Sequence, residues 1–117
     1  MITKKLLKKQ ARKEQKIKWN LVRQQVKERQ NNKCYICEKE IFGKSAHTHH
    51  IVDRRVKELF FDLQNLILLC PRCHKLDKLS VHNTAIYFSM ILQKKDIERW
   101  NYLIDFLEQY QIKEKEK

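Results

Sequence analysis

The sequence predicts a small α+β protein, mostly helical, in which a short metal-stapled centre lies between two helical extensions. Three observations predict it. Residues 1–30 hold no Gly or Pro and are rich in Lys, Gln, Leu and Arg, all good helix formers. Four cysteines fall in two CxxC pairs, Cys34/Cys37 and Cys70/Cys73. From Asn83 onward, apolar residues return at helical spacing. With 117 residues, one Gly and one Pro, the chain suits one small domain without flexible linkers and with little room for tight hairpins.

Charge divides the chain the same way. Residues 1–33 carry 12 Lys/Arg against 2 Asp/Glu, residues 34–83 carry 8 against 6, and residues 84–117 carry 6 against 6, for a net charge of +12. Nearly all the excess sits in the N-terminal helix. Such a block attracts a polyanion by counterion release, so nucleic acid is the expected partner. Within the helix, Trp19, Val22 and Val26 share a stripe that can dock, with Ile17 and Leu21 nearby. The first half offers only Ile2, Leu6, Leu7 and Ala11 among lysines, and is expected to fray or to become ordered only on DNA.

Gln30-Asn31-Asn32 ends this helix and leads into the centre, residues 34–83. About 50 residues rarely bury enough apolar surface to fold alone, and metal binding is the usual remedy. Two CxxC turns supply four thiolates on two sides of one ion, the tetrahedral set that structural zinc prefers. Ala46–Val52 and Gln64–Leu69 read as strands, the second almost wholly apolar and entered through Asn65. The 84–117 extension reads as two helices and a charged tail. Asn83 is the expected cap of the first, whose Ala85, Ile86, Phe88, Met90, Ile91 and Leu92 are apolar nearly all round and predict burial. Asp96 is the expected start of the second, with Ile97, Trp100, Ile104 and Leu107 on one face. The tail from Lys113 alternates Lys and Glu and is expected to be disordered.

No apolar run approaches the ~20 residues of a membrane span. Met1–Lys18 is charged throughout and lacks the apolar stretch of a signal peptide. The expectation is a soluble, cytoplasmic protein, where paired cysteines bind metal rather than each other.

The centre also carries chemistry beyond zinc. Hydrolysing a phosphodiester needs a base to activate water and a cation to stabilise charge on phosphate and leaving oxygen. His49 and His50 are adjacent, so in a regular strand they would face opposite ways, and one of them must sit where the strand ends or bends. His74 directly follows Cys73, so the zinc would fix its position. His47 is expected to be an exposed strand residue and His82 a loop or cap residue. Asp53 reads equally as a support of the site or a turn residue. Arg54, Arg55, Arg72 and Lys75 are candidate phosphate contacts.

In its text Lys33-Cys34-Tyr35-Ile36-Cys37, then His49-His50-Ile51-Val52, then Asn65-Leu66 with Leu69-Cys70 and Cys73-His74, the chain resembles the HNH endonuclease family in its four-cysteine form. Trp19, Val22, Arg23, Val26 and Arg29 extend the likeness into the preceding helix. The resemblance implies a ββα-metal fold, a two-stranded ribbon followed by a helix gripping one divalent ion. It implies His50 as general base, Asn65 as the residue that orients it, and His49 and His74 as ligands of a catalytic Mg²⁺ or Mn²⁺. It implies cleavage of DNA, expected to be duplex, to 5′-phosphate and 3′-hydroxyl ends, with Lys9, Arg12, Lys13, Lys16, Arg23, Arg54 and Arg55 on the nucleic acid. A bacterial or phage-infected host, with phage packaging proteins as candidate partners, goes with it. The chain departs from the family in lacking glycines after the base, so the loop near 56–61 is expected to be helical. Lys78 stands where some members place another histidine, so either two protein ligands with water and phosphate oxygens suffice, or Asp77 contributes. A non-catalytic zinc-ribbon DNA-binding protein is the alternative; such a ribbon has no use for His49, His50, Asn65 and His74.

Overall fold

The computed structural model describes residues 3–116. Five regular elements follow in order: α1 (Lys4–Arg29), β1 (His47–His50), β2 (Leu66–Leu69), α2 (Ala85–Lys95) and α3 (Ile97–Lys115). The strands form a two-stranded antiparallel ribbon, pairing His47 with Leu69 and His50 with Leu66. After β2 the chain makes one wide helical turn, Arg72–Leu76, closed by a bond from Asp77 N–H to Arg72 C=O at 3.0 Å. This is the ββα-metal arrangement, with its helix reduced to a single turn.

β2 is the centre of the core: Leu66, Ile67, Leu68 and Leu69 are all fully buried. An apolar strand covered on both faces needs no alternation, which is why its sequence shows none. Val22 and Val26 of α1 pack on it, joined by Leu59, Leu92 and Leu103. The free edge of β2 is covered by side chains that act as a third strand. Gln30 accepts from Leu68 N–H (2.8 Å) and donates to Leu68 C=O (3.1 Å), while Arg29 donates to Leu63 C=O (2.7 Å) and to Leu66 C=O. Covering an open edge in this way removes a template for unwanted strand pairing.

α1 opens on Thr3, whose hydroxyl accepts from Leu6 N–H, and ends at Asn31 and Asn32, both in the left-handed region (φ 55° and 56°). Asparagine tolerates that region better than most residues, so it replaces the usual terminating glycine. The first half of α1, expected to fray, is helical from Lys4. Its residues lie on the surface, including Lys9, Arg12, Lys13 and Lys16; Ile17 and Leu21 are exposed as well. Ile2 lies outside the described residues. Asp96 starts α3 by accepting from Arg99 N–H, and α3 runs on to Lys115 through the tail expected to be disordered.

Two expectations for the segment around α2 are corrected. Thr84, not Asn83, precedes it; the Asn83 amide instead donates to Lys75 C=O and Asp77 C=O, tying down the preceding loop. Nor is α2 buried all round. Phe88 and Leu92 face the core, while Ile86 is 80% exposed and Met90 42%. The helix leans on the rest of the molecule through one face, so its apolar composition does not translate into burial. The 56–61 region, expected to be helical, makes only the short 3₁₀ turn Lys57–Leu59. No helix among the described residues is long and apolar enough to cross a membrane.

Candidate metal centres and catalytic cleft

The first cluster is built by two turns of backbone. Cys34 N–H donates to Lys39 C=O and Glu38 N–H to Cys34 C=O, with Glu38 left-handed at φ 63°, and Lys33 bridges Glu40. This knuckle presents Cys34 and Cys37. Cys70 and Cys73 come from the end of β2 and the wide turn, where Cys73 N–H donates to Cys70 Sγ. All four sulfurs lie within 4.8 Å of one another, and Cys37 Sγ stands 3.8 Å from Cys70 Sγ. A tetrahedral zinc with bonds of about 2.3 Å holds its sulfurs about 3.8 Å apart, so the cage has the size of the ion. Burial and the neighbouring sulfurs push the Cys73 thiol well up. Only a cation in the middle makes four thiolates at this spacing favourable.

The second cluster is of nitrogen. His47 and His49 project from the same side of β1, as residues two apart must, and His74 comes up from the wide turn. His74 Nε2 lies 3.2 Å from His49 Nδ1 and 2.9 Å from His82 Nε2. These three nitrogens form a metal-competent group. Burial, then the charge of neighbouring His74 and His82, lowers the His49 pKa to about 3. Burial, then His82 and His47, lowers that of His74 to about 4. Both rings are therefore neutral at physiological pH, and each offers a nitrogen to a group whose ligand atoms all lie within 4.8 Å of one another. Such a triad fits a divalent ion with affinity for imidazole.

His82, expected to be a loop or cap residue, is indeed in a turn, but its ring completes this triad. The backbone carries it there: Val81 N–H donates to Cys73 C=O and His82 N–H to His74 C=O, folding 81–82 back beside 73–74. His47, expected to be exposed, is half-buried with its Nδ1 3.0 Å from His74 Nδ1. Asp77 stands apart from the triad, paired with Arg72 at 3.2 Å.

His50 ends β1 and belongs to different neighbours. Its ring stacks on Trp19 of α1 (centroids 5.1 Å, planes 9° apart) and its Nε2 is 3.1 Å from Phe60 C=O. A carbonyl can only accept, so Nε2 carries the proton and Nδ1 keeps a lone pair. Burial lowers the His50 pKa against the raising effect of that bond. The hydrogen bonds of the Asn65 side chain go to backbone rather than to His50. Asn65 is fully buried and clamps the intervening loop: Oδ1 accepts from Val52 N–H (2.6 Å), and Nδ2 donates to Val52 C=O and Leu59 C=O (both 3.1 Å). The loop so held presents Phe60 to His50.

His49, His50, His74 and His82 border one cleft of about 750 Å³, rimmed by Arg54, Arg55 and Lys75. Arg55 is occupied by Asp53 through Nε and Nη2, each 3.0 Å from a carboxylate oxygen. Arg23 lies on α1, partly buried. Thr48, between the histidines, also lines the cleft, and its hydroxyl is buried without a partner among the described residues.

Comparison with known protein families matches residues 34–78 to the HNH endonuclease family. No curated protein and no solved structure matches the chain.

Proposed function

With an HNH endonuclease segment at its centre, we propose that this protein is a metal-dependent DNA endonuclease whose catalytic cleft is the one bordered by His49, His50, His74 and His82. The observation that carries this reading is the contrast between those rings. Three converge through their nitrogens, and the fourth, beside them, keeps a lone pair on Nδ1 because Phe60 C=O occupies Nε2.

A divalent ion on His49, His74 and His82 would supply charge stabilisation at the scissile phosphate and the departing oxygen. His50 Nδ1 takes the proton from the attacking water. Trp19 and Phe60 fix the plane and tautomer of the ring, so little reorganisation is left for the reaction itself. Asn65 acts through the loop, as a positioning residue. His47 accepts from His74 Nδ1–H, which leaves His74 Nε2 free for the ion, the usual service of a partner behind a metal-bound histidine. Arg54 and Lys75 at the rim, with the exposed lysines of α1, draw the phosphate backbone in. The four-cysteine cage takes a structural Zn²⁺.

An all-imidazole set deepens the expectation about the catalytic ion. Mg²⁺ prefers oxygen ligands and holds its waters, whereas imidazole suits the softer transition ions. Between Mg²⁺ and Mn²⁺, the triad therefore favours Mn²⁺. The test is plasmid cleavage with Mn²⁺, with Mg²⁺ and with EDTA, beside a His50→Ala control. Nicking or linearisation greatest with Mn²⁺, and absent from the control, is the expected result; equal cleavage by His50→Ala would remove the assignment.

A further inference from the structure

A second cavity, of about 360 Å³, lies between the end of α1, the cysteine knuckle and the start of α3. Arg29, Lys33, Lys95 and Arg99 line it, against a single carboxylate, Glu38. Two of its walls carry polar groups that the protein leaves unsatisfied. The Arg99 side chain is only 9% exposed, yet its Nε and Nη1 have no hydrogen-bond acceptor among the described residues. Asp96 Oδ2 is 3.2 Å from that Nε, an ion pair without hydrogen-bond alignment. Tyr35, 8% exposed, has a buried hydroxyl with no partner among the described residues. Unpaired buried donors are rare and each costs stability. Two such residues on one cavity, both donors, call for an acceptor.

The charges call for the same thing. Burial, then repulsion from Arg99, lowers the Arg29 pKa against the raising effect of Asp96. Lys95 reaches Glu38 only at 3.8 Å and otherwise donates to Tyr35 C=O, with its ammonium 4.3 Å above the Tyr35 ring. Arg99 stands 5.5 Å from the same ring. Arg29 is already committed to Leu63 and Leu66, so it contributes field rather than contacts. Among the described residues, the cavity thus gathers four cations against Glu38 on its wall and Asp96 beside Arg99, with N–H and O–H donors that neither carboxylate satisfies.

We propose that this cavity binds a phosphate group, with the Arg99 guanidinium and the Tyr35 hydroxyl as its donors and Lys33 and Lys95 as its counter-charge. The tetrahedral oxyanion supplies several acceptors at once and accepts charge-assisted bonds from a guanidinium. Its source is either a nucleic-acid strand, making this an anchor outside the catalytic cleft, or free phosphate. The strand source rests on the nuclease reading; the free source does not.

The probe is the Arg99 Nε–Hε resonance of the isotopically labelled full chain, assigned by its loss in Arg99→Lys. It is followed against inorganic phosphate, and separately against a short DNA duplex with no divalent ion added. A saturable shift with both points to free phosphate, and a shift with duplex alone to a strand; either supports the site. A resonance unmoved by both overturns it, whether or not the protein cuts plasmid. Tyr35→Phe supplies the second arm, since it keeps the ring packed on Phe88. It should leave unliganded stability unchanged or raised, because it removes an unpaired group, while weakening binding of the active probe roughly tenfold. Unchanged binding by Tyr35→Phe overturns the assignment of its hydroxyl.

Discussion

The two metal-competent clusters share a neighbour. Cys73 and His74 are consecutive, so one sulfur of the closed cage and one nitrogen of the open triad hang from the same wide turn. Beyond that they differ in every respect. The four sulfurs come from two backbone turns and close on each other, with Cys34 and Cys70 buried. The three imidazoles come from a strand, a turn and a loop, and face a cleft of about 750 Å³. A closed set of ligands leaves no coordination position for substrate, and an open one does. The comparison teaches that the cage is part of the fold and the triad is mounted on it. Disturbing the cage should therefore cost structure, and disturbing the triad should cost chemistry.

The largest expected effect tests that division directly. Cys70→Ser should abolish zinc retention and cooperative unfolding, because in so small a centre the metal's binding free energy is folding free energy. His74→Ala, one turn away, should keep one zinc per chain and a cooperative transition. Metal analysis and thermal denaturation of the two variants decide it. If Cys70→Ser remains folded and active, the cage is not structural and the comparison breaks.

The next effect falls within the cleft. His50→Ala should lower the cleavage rate by roughly 10²–10⁴-fold, the range for loss of a general base, with zinc content unchanged, unfolding still cooperative, and the melting temperature lowered only by loss of the ring's packing on Trp19 and Phe60. His49→Ala and His82→Ala should lose activity through metal affinity, so raised Mn²⁺ should restore part of it. No Mn²⁺ concentration should restore His50→Ala. Rescue of all three alike would merge base and ligands into one role.

How much of this was legible from sequence follows from how local each feature is. The cage was legible because CxxC fixes its own turn, and two such turns need only meet. His49 and His74 stand next to landmarks, a strand end and a zinc ligand. His82 was not legible. It lies eight residues beyond His74, and it returns only because the wide turn and the bonds from 81–82 to 73–74 fold the loop back; no periodicity records that. The exposure of Ile86 and Met90 was hidden for a related reason: composition says which faces can be buried, and the supply of neighbours decides which are. The open edge of β2, sealed by Gln30 and Arg29 side chains, has no sequence signature either. In each case the missing information is a long-range contact made by an ordinary residue.

A smaller effect separates position from contact. His47 Nδ1 is 3.0 Å from His74 Nδ1, so it can sharpen the ligand without being one. His47→Phe should weaken Mn²⁺ binding by about 10–100-fold, the usual range for loss of a partner behind a metal-bound histidine. His47→Asn, which keeps a side-chain acceptor, should recover part of the loss. The Mn²⁺ titration gives a readout independent of cleavage. Equal losses in Phe and Asn variants would make His47 a packing residue only.

The smallest effect lies between the histidines, on Thr48. In the ribbon it pairs with Leu68, its hydroxyl is buried without a partner among the described residues, and it lines the cleft. For folding, that hydroxyl is a liability: valine has the same branched shape, suits a strand, and leaves nothing unpaired. Thr48→Val should therefore hold stability constant or raise it by up to about 1 kcal/mol. A group that costs stability and lines the cleft proposed as catalytic suggests a use in the reaction, where water or a phosphate oxygen can satisfy it. The same substitution should then slow cleavage by a few-fold while Mn²⁺ affinity stays put. A variant both more stable and equally fast would show that the open cluster tolerates an idle polar group. A variant less stable than the parent would show that the hydroxyl already has a partner in solution, ordered water being the natural one.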